Sequence, residues 1–247
     1  MRQLEHFVLT NFNVRRDDCS RDRDGTPVDR SGAPVRTPEW LAERFVLFER
    51  FCLPSLVAQT CLDFTWLLGY DAVGTPPEYL RRLRAHEAGF CNLRLVPEPT
   101  SFRQAIASSL RRRCRLLTTR LDSDDAFHRT AIALIRGHGA GNDLEFLNLP
   151  LGYCYSYPDG RVRLRRHDSN PFLSLAENCD GDLPRTAACV SHDQARQVAP
   201  VRQIGSKPGW LQLIHRRNMR NSFKGVPCAA PDLREAFNVR AAQLSPA

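Results

Sequence analysis

Lysine is almost missing from this chain. Of 35 basic residues only Lys207 and Lys224 are lysines, so a net charge of +8 rests almost wholly on arginine. A genome with a codon bias toward arginine would give that usage without any functional demand. A basic chain still favours anionic partners, whether nucleotide phosphates, nucleic acid or an acidic membrane face. Long apolar runs are missing too. The longest, such as FVLF and IALI, fall far short of the roughly 18 residues of a membrane-spanning helix. The opening MRQLEHFVLTNFN has no secretory cleavage pattern, so the expectation is a cytoplasmic protein, with the inner membrane face open to it as a place of action. No C-x-x-C pair occurs among nine cysteines, an odd set that sits mostly inside apolar patterns, as reduced buried thiols do.

Other absences narrow the function. The segment TNFNVRRDD after the first apolar run is basic but lacks glycine, which counts against a nucleotidyltransferase phosphate loop. GHGAG (137–141) follows a helical pattern instead of opening one, and reads as a helix end. The run LRRRCR (110–115) also closes a helical pattern and has no interleaved aromatics, so nucleic acid is not an expected partner. SRDRDG (20–25) resembles part of a calcium loop, but Ser31 stands where that loop needs glutamate. There are no internal repeats.

What is present is alternation. Apolar runs at LEHFVLTNF, DFTWLLGYD, FCNLRLVPE and RLLTTRLD predict four strands, separated by helical patterns that begin at Pro38, near Pro76 and at Ser101. Pro54 should break or kink the first helix, and the turn-rich stretch from Val14 to Pro38 is a long loop. Such alternation argues for an α/β fold, a mostly parallel sheet flanked by helices. Ligands bind such sheets at the carboxyl ends of the strands, where Thr10–Asn13, Asp71–Thr75, Glu98–Ser101 and the aspartates after the fourth strand converge. Beyond residue 143 a C-terminal antiparallel hairpin, turning at Pro158, Asp159 and Gly160, is expected. With no clean linker, one domain is the reading, with residues 1–142 as a nucleotide-binding half and 143–247 as the other.

In RLLTTRLDSDDAFHRTAIALI (115–135) three acids, Asp122, Asp124 and Asp125, crowd the seam between a strand and a helical pattern. Close carboxylates repel and raise one another's pKa. Either they decorate a helix start, where acids favour the macrodipole, or they hold a hard divalent cation such as magnesium or manganese. Such a metal bridges a diphosphate and neutralises the charge that develops as it leaves.

TTRLDSDDAFH resembles the D-x-D motif of GT-A-type glycosyltransferases. Together with RFVLFERFCLPSLVAQTCLDFTWLLGYD and GWLQLIHRRNMRN, it is similar to the bacterial family called putative rhamnosyl transferases, over most of residues 4 to 225. The resemblance implies a GT-A-like fold and a metal-dependent hexosyl transfer from a UDP- or dTDP-linked sugar to a glycan or lipid-linked hydroxyl. It implies Asp124 as metal ligand with Asp122 or Asp125 beside it, one of these instead reaching the donor ribose. Thr10, Asn11, Asn13 and Asp71 would hold the nucleoside, with a turn role open to Asp71. His215 would be a further ligand or phosphate contact, and Arg216, Arg217 or Lys224 would meet the diphosphate. If the reaction inverts configuration, a base must take the acceptor proton. The candidates are Glu177, and the pair His192 and Asp193 behind the apolar run AACV, read as a strand end. A nucleotidyltransferase or a non-catalytic sugar-nucleotide binder of the same fold is the alternative.

Overall fold

The computed structural model describes residues 2–15, 21–29, 31–110, 113–218 and 221–239. The parallel alternation begins with β1 (Leu4–Asn11), α1 (Pro38–Leu47), α2 (Leu53–Val57), β2 (Thr65–Tyr70), α3 (Pro77–Gly89), β3 (Leu93–Pro97), α4 (Phe102–Ser109) and β4 (Cys114–Arg120). Local chemistry sets these starts. Thr37 Oγ1 accepts from Trp40 N with Pro38 at the first helical position, and Ser101 and Gln104 form a reciprocal capping box. The four predicted strands are all present. At Pro54, which has no N–H to give, the ladder widens to a π-helical segment over Phe48–Cys52 and α2 resumes beyond it.

After β4 the chain departs from expectation. No helix follows the aspartates directly. A two-residue strand, β5 (Ala126–Phe127), intervenes, and α5 (Ala131–Gly137) begins six residues past Asp125. The acids therefore do not decorate a helix start, and that reading of them is overturned. The chain continues through β6 (Leu144–Asn148), β7 (Leu151–Ser156), β8 (Arg161–Arg166), β9 (Ser174–Cys179), α6 (Ala195–Val198), β10 (Val201–Gln203), β11 (Trp210–Ile214), β12 (Val226–Pro227) and α7 (Leu233–Phe237). The hairpin is β7–β8 alone, because β6 leaves for the other sheet. AACV (187–190) is not a strand; it lies in the loop before a 3-10 turn at His192–Gln194. The terminal helix ends at Phe237 with Asn238 in the left-handed conformation, a common helix stop. The sequence DLREAFNVRAAQL (232–244) reads as a terminal helix, and its part beyond Val239 lies outside the described residues.

Two sheets result. The larger runs β10-β6-β9-β4-β1-β2-β3, with every strand parallel except β9. The smaller runs β12-β8-β7-β11-β5. The two halves read from sequence interleave: β6, β9 and β10 complete the first sheet, and β5 from the first half joins the second. The main core unites both, with Val8, Phe45, Phe48, Trp66, Phe127 and Trp210 in one apolar cluster. Burial of each such side chain contributes about 1.5–3 kcal/mol. Within the second sheet β7 and β11 meet closely at Gly152, where a Cβ would lie 2.0 Å from the Trp210 ring. Trp210 itself stacks on Phe172 at 5.1 Å.

Candidate functional site

The aspartates sit where β4 of the first sheet passes to β5 of the second. Asp124 is buried, and it is met by residues distant in sequence. Its Oδ1 faces Arg44 Nη1 of α1 at 3.2 Å, and its Oδ2 faces His215 Nε2 at 2.8 Å, although 91 residues separate them in sequence. Asn218 Nδ2 donates to Asp124 Oδ2 at 3.3 Å, and its Oδ1 accepts from the His215 backbone N at 2.7 Å, so one side chain fixes both partners. Arg44 also donates to Ser123 Oγ at 3.2 Å. Burial opposes a charge on Asp124, but the Arg44 charge and the His215 hydrogen bond outweigh it and hold the pKa well below the usual carboxylate range.

Asp125 is set the opposite way. It is fully buried, Oδ1 accepts from Leu213 N at 2.7 Å, and Oδ2 has no partner among the described residues. Burial first, then the charges of Asp124 and Asp122, push its pKa well up. Two adjacent acids thus divide the work: Asp124 is ionised beside Arg44 and His215, while Asp125 docks β11 against β5. Asp122 is half-buried at the mouth of the cluster.

The donor chemistry fits a divalent cation in part. Asp124 Oδ2 and His215 Nε2 lie 2.8 Å apart and are atoms of the kinds that ligate a divalent cation, whereas Asp125 spends Oδ1 on Leu213 N and keeps Oδ2 buried inside the core without a partner among the described residues. Among the described residues no three His, Cys, Asp or Glu side chains converge. The remaining ligands would come from water and substrate phosphates, as is usual for magnesium.

Along the carboxyl edge of the first sheet, Asn13 and Asp71 form a rim. Asn13 Oδ1 accepts from Asp71 N at 3.2 Å, and Asn13 Nδ2 donates to Thr75 Oγ1 at 2.9 Å. Asp71 Oδ1 accepts from Val73 N and Gly74 N, the turn role weighed above, while Oδ2 accepts from Arg15 Nε at 3.2 Å. Burial raises its pKa, but these N–H donors and Arg15 lower it further, so it stays ionised. Asn11 is exposed at the strand end and lines a cleft of about 580 Å³ with Gly69, Glu98, Phe102, Arg185 and Cys189. That cleft is separate from the aspartate cluster, since neither Asp124 nor His215 lines it.

Other sequence candidates fall elsewhere. Thr10 is fully buried and its hydroxyl accepts from Trp66 Nε1 at 2.9 Å, so it belongs to the core and not to a ligand surface. Arg217 is committed to Asp29 Oδ2 at 2.9 Å and to Pro34 O, and Arg216 to Glu43, so both clamp the long loop and α1 onto the segment after β11. Lys224 is exposed. Glu177, buried on β9, accepts from Arg185 N at 3.1 Å and Thr186 N at 3.0 Å; its carboxylate holds a loop in place of facing a substrate. His192 Nδ1 lies 2.8 Å from Ser169 O and 3.1 Å from Asp193 Oδ1, and the Asp193 carboxylate is open to solvent. Ser169 belongs to the segment leading into β9, whose first residue pairs with Thr119 near the end of β4, so His192 and Asp193 stand at the same edge as the aspartates. Arg44 and Asn218 were missed from sequence. An arginine on an amphipathic helix reads as a solvated residue, and Asn218 differs from its polar neighbours only through contacts made in space.

The acid cluster at the strand edge is thus closed by a histidine from a distant C-terminal segment. The family model described as putative rhamnosyl transferase matches residues 28–225, about four fifths of the chain, and the chain belongs to that family. Among solved structures, S. aureus TarS 1-349 in complex with UDP-GlcNAc is similar, with TM-score 0.46 and 11% identity over 87% of this chain and 60% of that one. TarS 1-349 without ligand gives a TM-score of 0.45 at 10% identity over 85% and 60%. HddC from Yersinia pseudotuberculosis gives 0.35 at 10% identity over 87% and 90%. The chain thus spans about 60% of the TarS fragment it resembles. No curated protein sequence matches it.

Proposed function

We propose that this glycosyltransferase moves a sugar, rhamnose by the family's description, from a UDP- or dTDP-linked donor to a hydroxyl on a glycan or lipid-linked acceptor, with manganese or magnesium at the aspartate cluster. The observation that carries this reading is the Asp124–His215 pair, an ionised carboxylate and an imidazole nitrogen 2.8 Å apart, brought together where β5 pairs with β11. A divalent ion bound there would offset the charge of the departing diphosphate. Arg44 keeps Asp124 ionised and ready as a ligand, and Asn218 holds His215 in the orientation that serves it. Asn11, Asn13 and Asp71 form the nucleoside rim over β1 and β2. Arg216 and Arg217 are committed elsewhere and Lys224 lies two residues before β12, beside β8, so none of the three is assigned to the diphosphate. At the same edge Asp193, steadied by His192, takes the proton of the acceptor hydroxyl.

The test is calorimetric titration of UDP and dTDP, with and without manganese, into wild type and Asp124→Ala. Manganese-dependent binding of one nucleotide that disappears in the variant is the expected result. Equal binding with and without the metal, or binding unchanged in the variant, would overturn the metal assignment.

A further inference from the structure

β8 reads RVRLRR, and its alternation places Arg161, Arg163 and Arg165 on one face of the second sheet. Through the β8–β7–β11 register that face also carries Ser156, Cys154 and Gly152, and then Gln212 and Ile214. It is the face that turns toward the aspartates. Cys154 is within electrostatic reach of Arg165 and Arg163 on one side and of Asp125 on the other.

Arg161 and Arg166 have carboxylate partners in Asp159 and Asp168. Arg163 and Arg165 are half-buried and have none among the described residues. Arg165 Nη1 donates to Gln212 Oε1 at 2.9 Å, and Arg163 Nη1 donates to Phe223 O at 3.3 Å with its guanidinium 4.6 Å from the Phe223 ring centre. Five N–H donors on each guanidinium exceed these partners, and a half-buried positive charge without a counter-ion is costly. The field is felt nearby: burial, then the Arg165 charge, pushes His167 down to about 4. Exposed Lys224 borders the strip.

Position decides what the strip meets. The nucleoside rim lies over β1 and β2, and the aspartates end β4. From β5 the second sheet reaches β8 through β11 and β7, three strand spacings or about 14 Å. The arginines thus stand three strands away from β5 and the aspartates within the second sheet, whereas the nucleoside rim belongs to the first. His192 and Asp193 lie toward them, with the His192 ring 5.5 Å from that of His167.

We propose that Arg163 and Arg165 bind an oxyanion on the acceptor, so that the saccharide receiving the sugar carries a phosphate or carboxylate near its reacting hydroxyl. This rests on the glycosyltransferase reading above and names the chemistry of its second substrate. Planar guanidinium groups suit either anion through paired hydrogen bonds.

The experiment titrates a hexose 6-phosphate, a hexuronic acid, the neutral hexose and inorganic phosphate into the protein, with and without saturating UDP or dTDP and manganese. Wild type, Arg163→Gln/Arg165→Gln and Arg163→Lys/Arg165→Lys are compared. A charged saccharide should bind where the neutral hexose does not, alongside the nucleotide, and about tenfold or more weakly in the glutamine variant. The lysine variant should keep part of that binding and guard against a folding defect. Binding of the neutral hexose equal to the charged ones, undiminished binding in the glutamine variant, or inorganic phosphate binding as well as the hexose phosphate would each overturn the proposal. Competition between the charged saccharide and the nucleotide would assign the strip to the donor and overturn it as well. Nucleotide binding in wild type is a separate arm, so its loss would count against the metal-and-nucleotide reading alone.

Discussion

Arg44 shows how much a single side chain decides at the aspartate cluster. It supplies the positive charge beside a buried carboxylate, and removing one member of a buried pair typically costs about 3–5 kcal/mol. Arg44→Gln should lower the metal-free melting temperature, and added manganese should recover more of that loss than it gains in wild type; thermal melts with and without the ion check this. His6 is a second residue with a legible consequence. It is buried on β1, its Nε2 meets Thr119 Oγ1 at 2.8 Å, and its Nδ1 has no partner among the described residues. Burial, helped by the Arg136 charge, pushes its pKa down to about 3 from 6.5. The unfolded chain therefore binds a proton that the folded one refuses between these values, and stability falls as pH drops below 6.5. This one group contributes a slope of about 1.4 kcal/mol per pH unit in the lower part of that window. His6→Gln should flatten the fall, read by urea unfolding at pH 7, 6 and 5. The motif around Asp124 and the histidine in WLQLIHRRN were both visible in the sequence. Their meeting point with Arg44 was not, since no local pattern distinguishes one helix arginine from another.

Elements place these residues, and two joints carry most of that task. At the first, the Trp210 indole of β11 lies against the backbone of β7, where only glycine leaves room. Gly152→Ala should destabilise the protein by about 2–4 kcal/mol through overpacking, measured by urea unfolding. At the second, Glu177 of β9 receives the N–H groups of Arg185 and Thr186, while Thr118 Oγ1 receives that of Ala187 at 2.7 Å. Thr186 is thereby held at φ +67, a strained value for a β-branched residue. Glu177→Gln should raise hydrogen exchange at Arg185 and Thr186 with little change on β4. β1 to β4 and the β7–β8 hairpin were legible because their apolar runs and turn are long enough to register, whereas β9 and β11, also five residues or more, were not read as strands. Nor was β5, because two residues inside a helix-like pattern have no period of their own, and AACV misled because an apolar run also suits a loop packed on the core.

At the scale of the molecule, the parallel alternation foretold the first sheet from β1 to β4, but nothing local announced that β9 would enter it antiparallel beside β4 or that β5 would leave it. Such pairings join residues far apart in sequence, where periodicity carries no information. No helix among the described residues is long and apolar enough to cross a membrane. Because both sheets draw strands from both halves, residues 1–142 expressed alone should fail to show a cooperative melt by circular dichroism, whereas the whole chain should unfold in one transition.

That interleaving also limits how such an enzyme changes over time. The surface proposed for the acceptor is built on β7, β8 and β11, and β11 is held to the first half through β5 and the Asp125 carboxyl. A hybrid gene that joined the first half of one relative to the second half of another would have to match both strand registers at once. If that surface binds the acceptor as proposed, new acceptor preferences would be reached more readily through the loops and the side chains of β8, one substitution at a time, than by exchanging halves as interchangeable modules.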